Sequence, residues 1–515
     1  MAERLFDSVQ THLGTDTMPH PAKAAPDTPF RILFIGDFSG RAHRGVVESN
    51  RISQARSQLI DRDNFEDVMR KLGGELQLQP LGANSQAIEI GISSVEDFHP
   101  DVLYEKTCIF QELRDTRKRL SDPKTFAQAK AEVSSWTRTA AAPVTSAPPP
   151  IARSAGVTGP ASNGASLLDQ MLGGTPLAPV AGYSERGWDA LLRQLVAPHV
   201  IPAADPMQAE LMGYVDTALS VLMRAVLHDP HFQAMEAAWR ALAMAVRDIE
   251  TGTKLKLYVL DVTKAEFAAA LETSDDERES AWHRLLADDA VEKFGDEGWA
   301  LVAANYTFEG SATDLEILNG AASVAQAAGV PLVATAGAKL LGCSSLANTP
   351  NPEAWREPLE CGGMWAALRS APQSCYLGLA LPRILLRMPY GKNTDAVERF
   401  SFEEIDGNWH HENYLWGSPA IACALLLGRT FSTAGWDFTA AIERDIDGLP
   451  LHIYREAGES IAKPCAEIAL SEHAANRMLE CGVMPFASIK NEDRVRLVRL
   501  QSIASNGSAL AGRWA

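Results

Sequence analysis

Phe30-Arg-Ile-Leu-Phe-Ile-Gly-Asp-Phe-Ser-Gly-Arg41 is the stretch from which the rest of this chain is read. Arg31 to Ile35 is a short apolar run, closed by Gly36, Asp37 and Gly40. That pattern predicts a buried strand followed by a tight turn. The glycines invite a phosphate-loop reading, but no lysine follows them as G-x-x-x-x-G-K-[ST] requires, and G-x-G-x-x-G is absent too. The turn is therefore read as a strand-to-loop connection.

Working outward, Asp63 to Leu72 predicts a helix with Asp63 as its N-cap and Phe65, Val68, Met69 and Leu72 on one side. Glu75-Leu-Gln-Leu-Gln79 and Ala87-Ile-Glu-Ile-Gly-Ile92 alternate with period two, as paired half-buried strands do. Val95 to Phe98 leads into His99-Pro100, and one helix is expected from about Pro100 to Leu120. Its cluster Arg114, Arg117, Lys118 and Arg119 sits at helical spacing with Glu112 and Asp115, which reads as a solvated face. Residues 28–135 thus form a small α/β domain, preceded by a flexible arm over 1–27.

Residues 136–180 read as a linker. From 137 to 163 it holds Ala, Pro, Ser, Thr and Gly with almost no large apolar side chains, too few to offset the entropy of ordering. Inside it, Ser166-Leu-Leu-Asp-Gln-Met-Leu172 places Leu167, Leu168, Met171 and Leu172 on one helical face. A short apolar helix in such a tract is a docking peptide or a staple onto the next domain.

Residues 181–505 read as a second, larger α/β domain, with 506–515 as a tail. Helices are expected over Met207–Leu227 and Phe232–Ile249, interrupted by His228-Asp-Pro-His231. Lys254 to Val262 and Gly298 to Phe308 predict strands. The Ala-rich helix Leu315–Ala328 leads to the buried strand Val330–Ala336, which implies a βαβ crossover and parallel sheet. Further strands are expected at Tyr376–Ala380 and near Leu451–Tyr454, and helices at Ser418–Gly428 and Ser471–Glu480. The fold class is α/β with mixed (α+β) sheets. Trp239, Trp282, Trp299, Trp365, Trp409, Trp416 and Trp436 all follow the linker and are expected to fill a core.

Bulk properties narrow the function. A chain of 515 residues with 46% hydrophobic and 22% charged residues suits two or three globular domains. A net charge of −18 opposes binding to nucleic acid or anionic lipid. No apolar run approaches membrane-spanning length, and Met1 to Val9 lacks the apolar core of a secretory signal, so the protein is expected to stay in the cytoplasm. Cysteines at 108, 343, 361, 375, 423, 465 and 481 form no CxxC pair and read as buried free thiols. His410-His411-Glu412 is the densest candidate metal cluster, but adjacent residues point apart and H-E-x-x-H is missing. His228 and His231 read as helix caps or terminators. Trp416-Gly-Ser-Pro lacks the second glycine of G-x-S-x-G. No catalytic, cofactor or metal residue is assigned.

Phe30–Arg41, Ile60-Asp-Arg-Asp-Asn-Phe65 and Ser94-Val-Glu-Asp-Phe-His-Pro100 together resemble the small sheath subunit of the bacterial type VI secretion system, TssB or VipA, over about residues 28–125. The remainder resembles the large subunit, TssC or VipB. The stretches that carry this likeness are His228–Arg240, Leu255–Leu260, Tyr376–Gly391, Phe402-Glu-Glu404, Tyr414-Leu-Trp-Gly417 and Gly448-Leu-Pro450. The resemblance implies a mechanical role. Such subunits stack into a helical sheath around an inner tube on a baseplate, and contraction drives the tube outward. Neighbours exchange strands by β-augmentation. The segment 166–172 resembles the helix recognised by the recycling AAA+ ATPase ClpV, which makes Leu167, Leu168, Asp169, Met171 and Leu172 the candidate docking residues. Expected partners are sheath subunits (self or separate), tube, baseplate and that ATPase. The sequence departs from the family twice. Two normally separate subunits are joined, and the usual continuation of about a hundred residues does not follow Ser502. A non-polymerising adaptor, a cap- or baseplate-linked regulator, and an enzyme with an unrecognised site are the alternatives.

Overall fold

The computed structural model describes residues 23–80, 87–122, 124–140, 208–271, 280–288, 298–407, 410–438, 442–456 and 458–514. Before the linker come strands β1 (Phe30–Gly36), β2 (Gln58–Ile60), β3 (Gly74–Leu78) and β4 (Ile88–Ile92). After it come β5 (Leu255–Asp261), β6 (Leu301–Phe308), β7 (Leu332–Ala336), β8 (Leu377–Leu381), β9 (Ile384–Leu385), β10 (Trp416–Gly417) and β11 (Asp445–Ile446). The last four are β12 (Ile453–Glu456), β13 (Glu459–Ala462), β14 (Val483–Ser488) and β15 (Val495–Leu497). Helices α1 (Arg51–Gln54), α2 (Phe65–Leu72), α3 (Pro100–Lys106), α4 (Cys108–Ser121) and α5 (Phe126–Ala140) belong to the first part. The second contributes α6 (Gln208–Leu227), α7 (Pro230–Asp248), α8 (Lys264–Leu271), α9 (Ala281–Leu286), α10 (Ala312–Ala328), α11 (Gly362–Ser370), α12 (Pro419–Ala434) and α13 (Glu472–Glu480).

A nine-stranded sheet orders these strands β11-β15-β14-β8-β7-β6-β1-β5-β2. The apolar run quoted first is its pivot. β1 lies parallel to β5 over its whole length, Phe30 opposite Leu255 and Gly36 opposite Asp261. On its other side it lies parallel to β6, Ile32 opposite Leu301 and Ile35 opposite Ala304. Every residue of β1 is buried, as a central parallel strand covered on both faces must be. Alternate side chains enter different cores. Phe30, Ile32 and Phe34 join the cluster under α4, α6, α7 and α12. Leu33 and Ile35 join the cluster under α8, α9 and α10.

This placement changes the expected partition. The stretch 28–135 does not close a sheet of its own around β1. Among its described residues only β3 and β4 pair by themselves, antiparallel, as their alternation predicts. β1 and β2 instead complete the sheet of the later part. Periodicity identifies a buried strand but carries no signal for a parallel partner more than two hundred residues away. The helices follow suit. α4 packs on α6 across the linker, with Arg117 Nε donating to Asp216 Oδ1 at 2.5 Å and Gln208 Nε2 donating to the Leu120 carbonyl at 2.5 Å. Arg119 meets Glu132 of α5 at 2.5 Å. The basic cluster thus ties helices together rather than forming a simple solvated face.

The C-terminal stretch is likewise no loose tail. Leu510, Ala511 and Trp514 are buried, Ala24 N donates to the Arg513 carbonyl, and Phe30 lies within ring-contact distance of Phe431, Trp436 and Trp514.

Other expectations need smaller changes. The single helix over 100–120 is two, broken at Thr107. Helix α2 starts at Phe65 rather than Asp63, because the Asp61 carboxylate captures the Asp63 and Asn64 amides in a turn. The βαβ crossover stands as read, with β6 and β7 parallel around α10. β12 lies outside the main sheet, in a two-stranded hairpin with β13. Among the described residues no helix is long and apolar enough to cross a membrane.

Candidate functional site

The junction of the two parts is sharpest where β1 ends. Asp261 closes β5 with its carboxylate pointing at the Asp37–Arg41 turn. Its Oδ1 accepts from the amides of Phe38 (2.8 Å) and Ser39 (3.0 Å). Its Oδ2 accepts from Ser39 Oγ (2.8 Å) and Arg41 Nε (3.1 Å). The Arg41 guanidinium continues to Glu266 at the start of α8, with Nη1 to Oε1 at 2.5 Å and Nη2 to Oε2 at 3.0 Å. Glu266 also accepts the Glu48 and Thr263 amides. The side chains of Arg41, Asp261 and Glu266 are only 9%, 2% and 0% exposed.

Burial alone would disfavour the charge on Glu266. The Arg41 bond, with the Thr263 and Glu48 amides, outweighs it and holds the carboxyl below its usual range. Burial pushes Asp37 the other way, upward, despite the Ala42 and Arg41 amides it accepts. Gly40 sits at φ +73, and a Cβ there would stand 2.4 Å from the Met235 methyl and 2.7 Å from the Glu75 carbonyl, so the turn needs glycine. Trp239 Nε1 donates to the Phe38 carbonyl at 2.9 Å and seals the turn from above.

Two strands packed by apolar contact alone can slip. A buried carboxylate taking four donors from the facing turn fixes one register, and losing any partner leaves a buried charge unpaired. The carboxyl ends of parallel strands are also where open α/β sheets place ligands. Here the ends of β1 and β5 are filled by the chain's own Arg41.

A second buried network joins three stretches far apart in sequence. Arg387 binds Glu236 of α7 (Nε–Oε1 2.8 Å) and Glu404 (Nη1–Oε2 2.7 Å). Arg240 reaches Glu236 at 2.7 Å and the Tyr390 hydroxyl at 3.0 Å. Complete burial opposes ionisation of Glu404, but Arg387 and His228 outweigh it and hold the carboxyl at about 2. Burial raises the Tyr390 hydroxyl well above its usual value.

The candidate residues fall as follows. Leu167, Leu168, Asp169, Met171 and Leu172 lie outside the described residues, as does Trp409. Trp239, Trp282, Trp299, Trp365, Trp416 and Trp436 are buried as expected. The seven cysteines are free, but only Cys343, Cys423 and Cys465 are buried, and Cys108 is exposed. The helix cap is Asp229, whose Oδ1 accepts the His231 and Phe232 amides. His228 faces Glu404 at 3.5 Å and the His231 ring stacks on His43 at 3.8 Å. His411 faces Glu467 at 3.2 Å and stacks on Trp416. Among the described residues no group of three or more His, Cys, Asp or Glu could hold a metal ion. Sequence reasoning missed Asp261 and Glu266. The only signal was an acidic residue closing the apolar run Leu255–Leu260.

Asp261→Ala takes the acceptor from the Phe38 and Ser39 amides, the Ser39 hydroxyl and Arg41 Nε, and we expect it to cost about 3–5 kcal/mol in urea-denaturation stability. A loss under 1 kcal/mol would remove the clamp from this account. The Glu404 carboxyl ionises near 2 when folded and near the ordinary 4.5 when unfolded, so its charge favours the fold above about 4.5. That contribution drains away as pH falls toward 2. Wild-type stability should drop steeply in this window, and Glu404→Gln should start lower and drop less; parallel acid limbs would contradict the assignment.

Residues 209–504 match VipB, the EvpB-type tail sheath N-terminal domain. Residues 12–139 match VipA of the type VI secretion system. The type VI secretion system sheath protein TssC1 of Pseudomonas aeruginosa PAO1 is 30% identical over 305 residues, 57% of this chain and 60% of that relative. The chain thus spans less than two thirds of the relative's length. The stretches matched by the two families meet in one sheet at β1, and the chain belongs to the type VI secretion system sheath family, with a VipA-like and a VipB-like part in a single polypeptide.

Proposed function

We propose that one copy of this chain supplies both the VipA-like and the VipB-like parts of a sheath building block, which assembles with other sheath subunits around an inner tube on a baseplate and contracts to drive the tube outward. Membership of the family gives the structural role. The observation that supports the finer reading is the insertion of β1 between β5 and β6. Two separate subunits would have to meet in solution to make that sheet. Joined by the tract 136–180, they meet at the effective concentration of a tether and always one to one. Leu167, Leu168, Asp169, Met171 and Leu172 then serve as the handle by which an AAA+ ATPase recovers spent subunits.

A protease site placed within residues 137–163 tests the building block. After cleavage the two fragments should co-elute on size exclusion at micromolar concentration and still form particles visible by negative stain. Separation of the fragments, or a wild type that stays monomeric and binds no sheath protein, would overturn the reading. The handle has its own test. Leu167→Ser/Leu168→Ser should abolish pull-down of the cognate ATPase while leaving assembly unchanged; retained binding would move the handle elsewhere.

A further inference from the structure

The VipA-like part holds helix α7 of the VipB-like part at both ends. At the C-terminal end Arg62 donates to the Val246 and Arg247 carbonyls, so a cation meets the free carbonyls of the last turn. At the N-terminal end the Phe98 ring meets Phe232 edge to face, 5.5 Å between centroids. Beside it the His43 ring stacks on His231, 3.8 Å between centroids and 27° from parallel. Arginine and phenylalanine keep their charge across neutral pH. Two histidines do not.

His43 belongs to the turn that follows β1, and its Nε2 lies 2.5 Å from the Gln77 carbonyl oxygen on β3. A carbonyl only accepts, so Nε2 carries a proton and donates it. With both imidazoles neutral, the stacked faces are an ordinary ring contact. With both protonated, two positive charges stand at that separation, which costs roughly fivefold in an equilibrium even at the dielectric of water. His43 is half-buried and His231 exposed, so solvent protons reach the pair.

The surroundings favour the neutral form. Burial of part of its ring holds the His231 imidazole below its ordinary 6.5; His43 adds to that and Asp229 opposes it. His231 is also the second residue of α7, where the positive end of the helix disfavours a cation. The Asp229 carboxylate is engaged as N-cap by the His231 and Phe232 amides. On the facing side Arg44 pairs with Glu75 at 2.5 Å, and Glu89 of β4 stands opposite Gln77. Asp37 accepts the Arg41 and Ala42 amides at the base of the turn. His228, just after α6, faces Glu404 instead, and Gln233 donates to the Glu412 carbonyl.

We infer that the His43–His231 stack is an acid-released latch: neutral, it holds the turn after β1 against the N-terminal end of α7, and protonated, it lets that turn go while the sheet stays closed. A histidine held below its ordinary value stabilises the closed form in full above about 6.5, and that contribution is lost as pH falls below it. The released segment is short. Gly45 N donates to the Ala42 carbonyl and Val46 N to the Arg41 carbonyl, around His43 itself. Val46 and Val47, 39% and 50% exposed, follow directly. Beyond them the Glu48 amide is tied to Glu266, and Arg62 and Phe98 still hold α7. The latch needs no second copy, so it stands apart from the sheath reading.

Hydrogen exchange of the full-length chain, read by mass spectrometry and corrected for the intrinsic pH dependence of exchange, follows the Gly45 and Val46 amides. In wild type their protection should fall roughly tenfold between about pH 7.5 and about pH 5.5, while Ile32 to Ile35 keep theirs. His231→Phe keeps a ring for the stack, and a protonated His43 over a phenyl face is attracted rather than repelled. Protection should then persist at the lower pH. His231→Lys places a permanent cation against His43, and protection should be low at both. His43→Phe repeats the first substitution from the opposite side and decides the matter if His231→Phe does not fold by circular dichroism. Wild-type protection that ignores pH would overturn the latch. So would acid release that survives in His231→Phe or His43→Phe, because the titrating group would then be another, such as Asp37.

Discussion

Strand β1 has no free side. Its main chain is bonded to β5 on one edge and β6 on the other, and its side chains alternate between the two cores that flank the sheet. Everything else in the molecule is arranged around that constraint. Removing the strand would leave two parallel neighbours with unpaired backbone and would open both cores at once, which a sheet buried on both faces cannot tolerate. The VipA-like part is therefore an interior component of the fold rather than an appendage.

The polar contacts add direction to that packing. Apolar strands could pair in more than one register. The Asp261 carboxylate accepts from the Asp37–Arg41 turn at four points and admits one register. The buried Arg387 network does the same within the later part, pinning the segment after β8 to α7. Both networks take charged groups out of water, a cost matched only when every partner is present.

Local patterns identified most elements, because period two and period 3.6 are local properties. Arg31–Ile35, Glu75–Gln79 and Val330–Ala336 were all legible in this way. What they could not reveal is neighbourhood. Nothing within Phe30–Gly36 names Leu255–Asp261 as its partner, so local patterns group β1 only with the residues that follow it in sequence. The break at Thr107 was silent because neither proline nor glycine marks it. Arg117 and Arg119 looked like solvated charges until α5 and α6 supplied Glu132 and Asp216. Asp261 was one of 65 acidic residues and acquires its role only when the sheet brings it to the turn.

The central claim is that the two parts fold as one sheet through β1, and native-state hydrogen exchange reads it most directly. If the account is right, the amides of Ile32 to Ile35 exchange only through the same global opening that exposes Leu257 to Leu260 of β5. Exchange of the β1 amides through a smaller opening, while those of β5 stay protected, would contradict it.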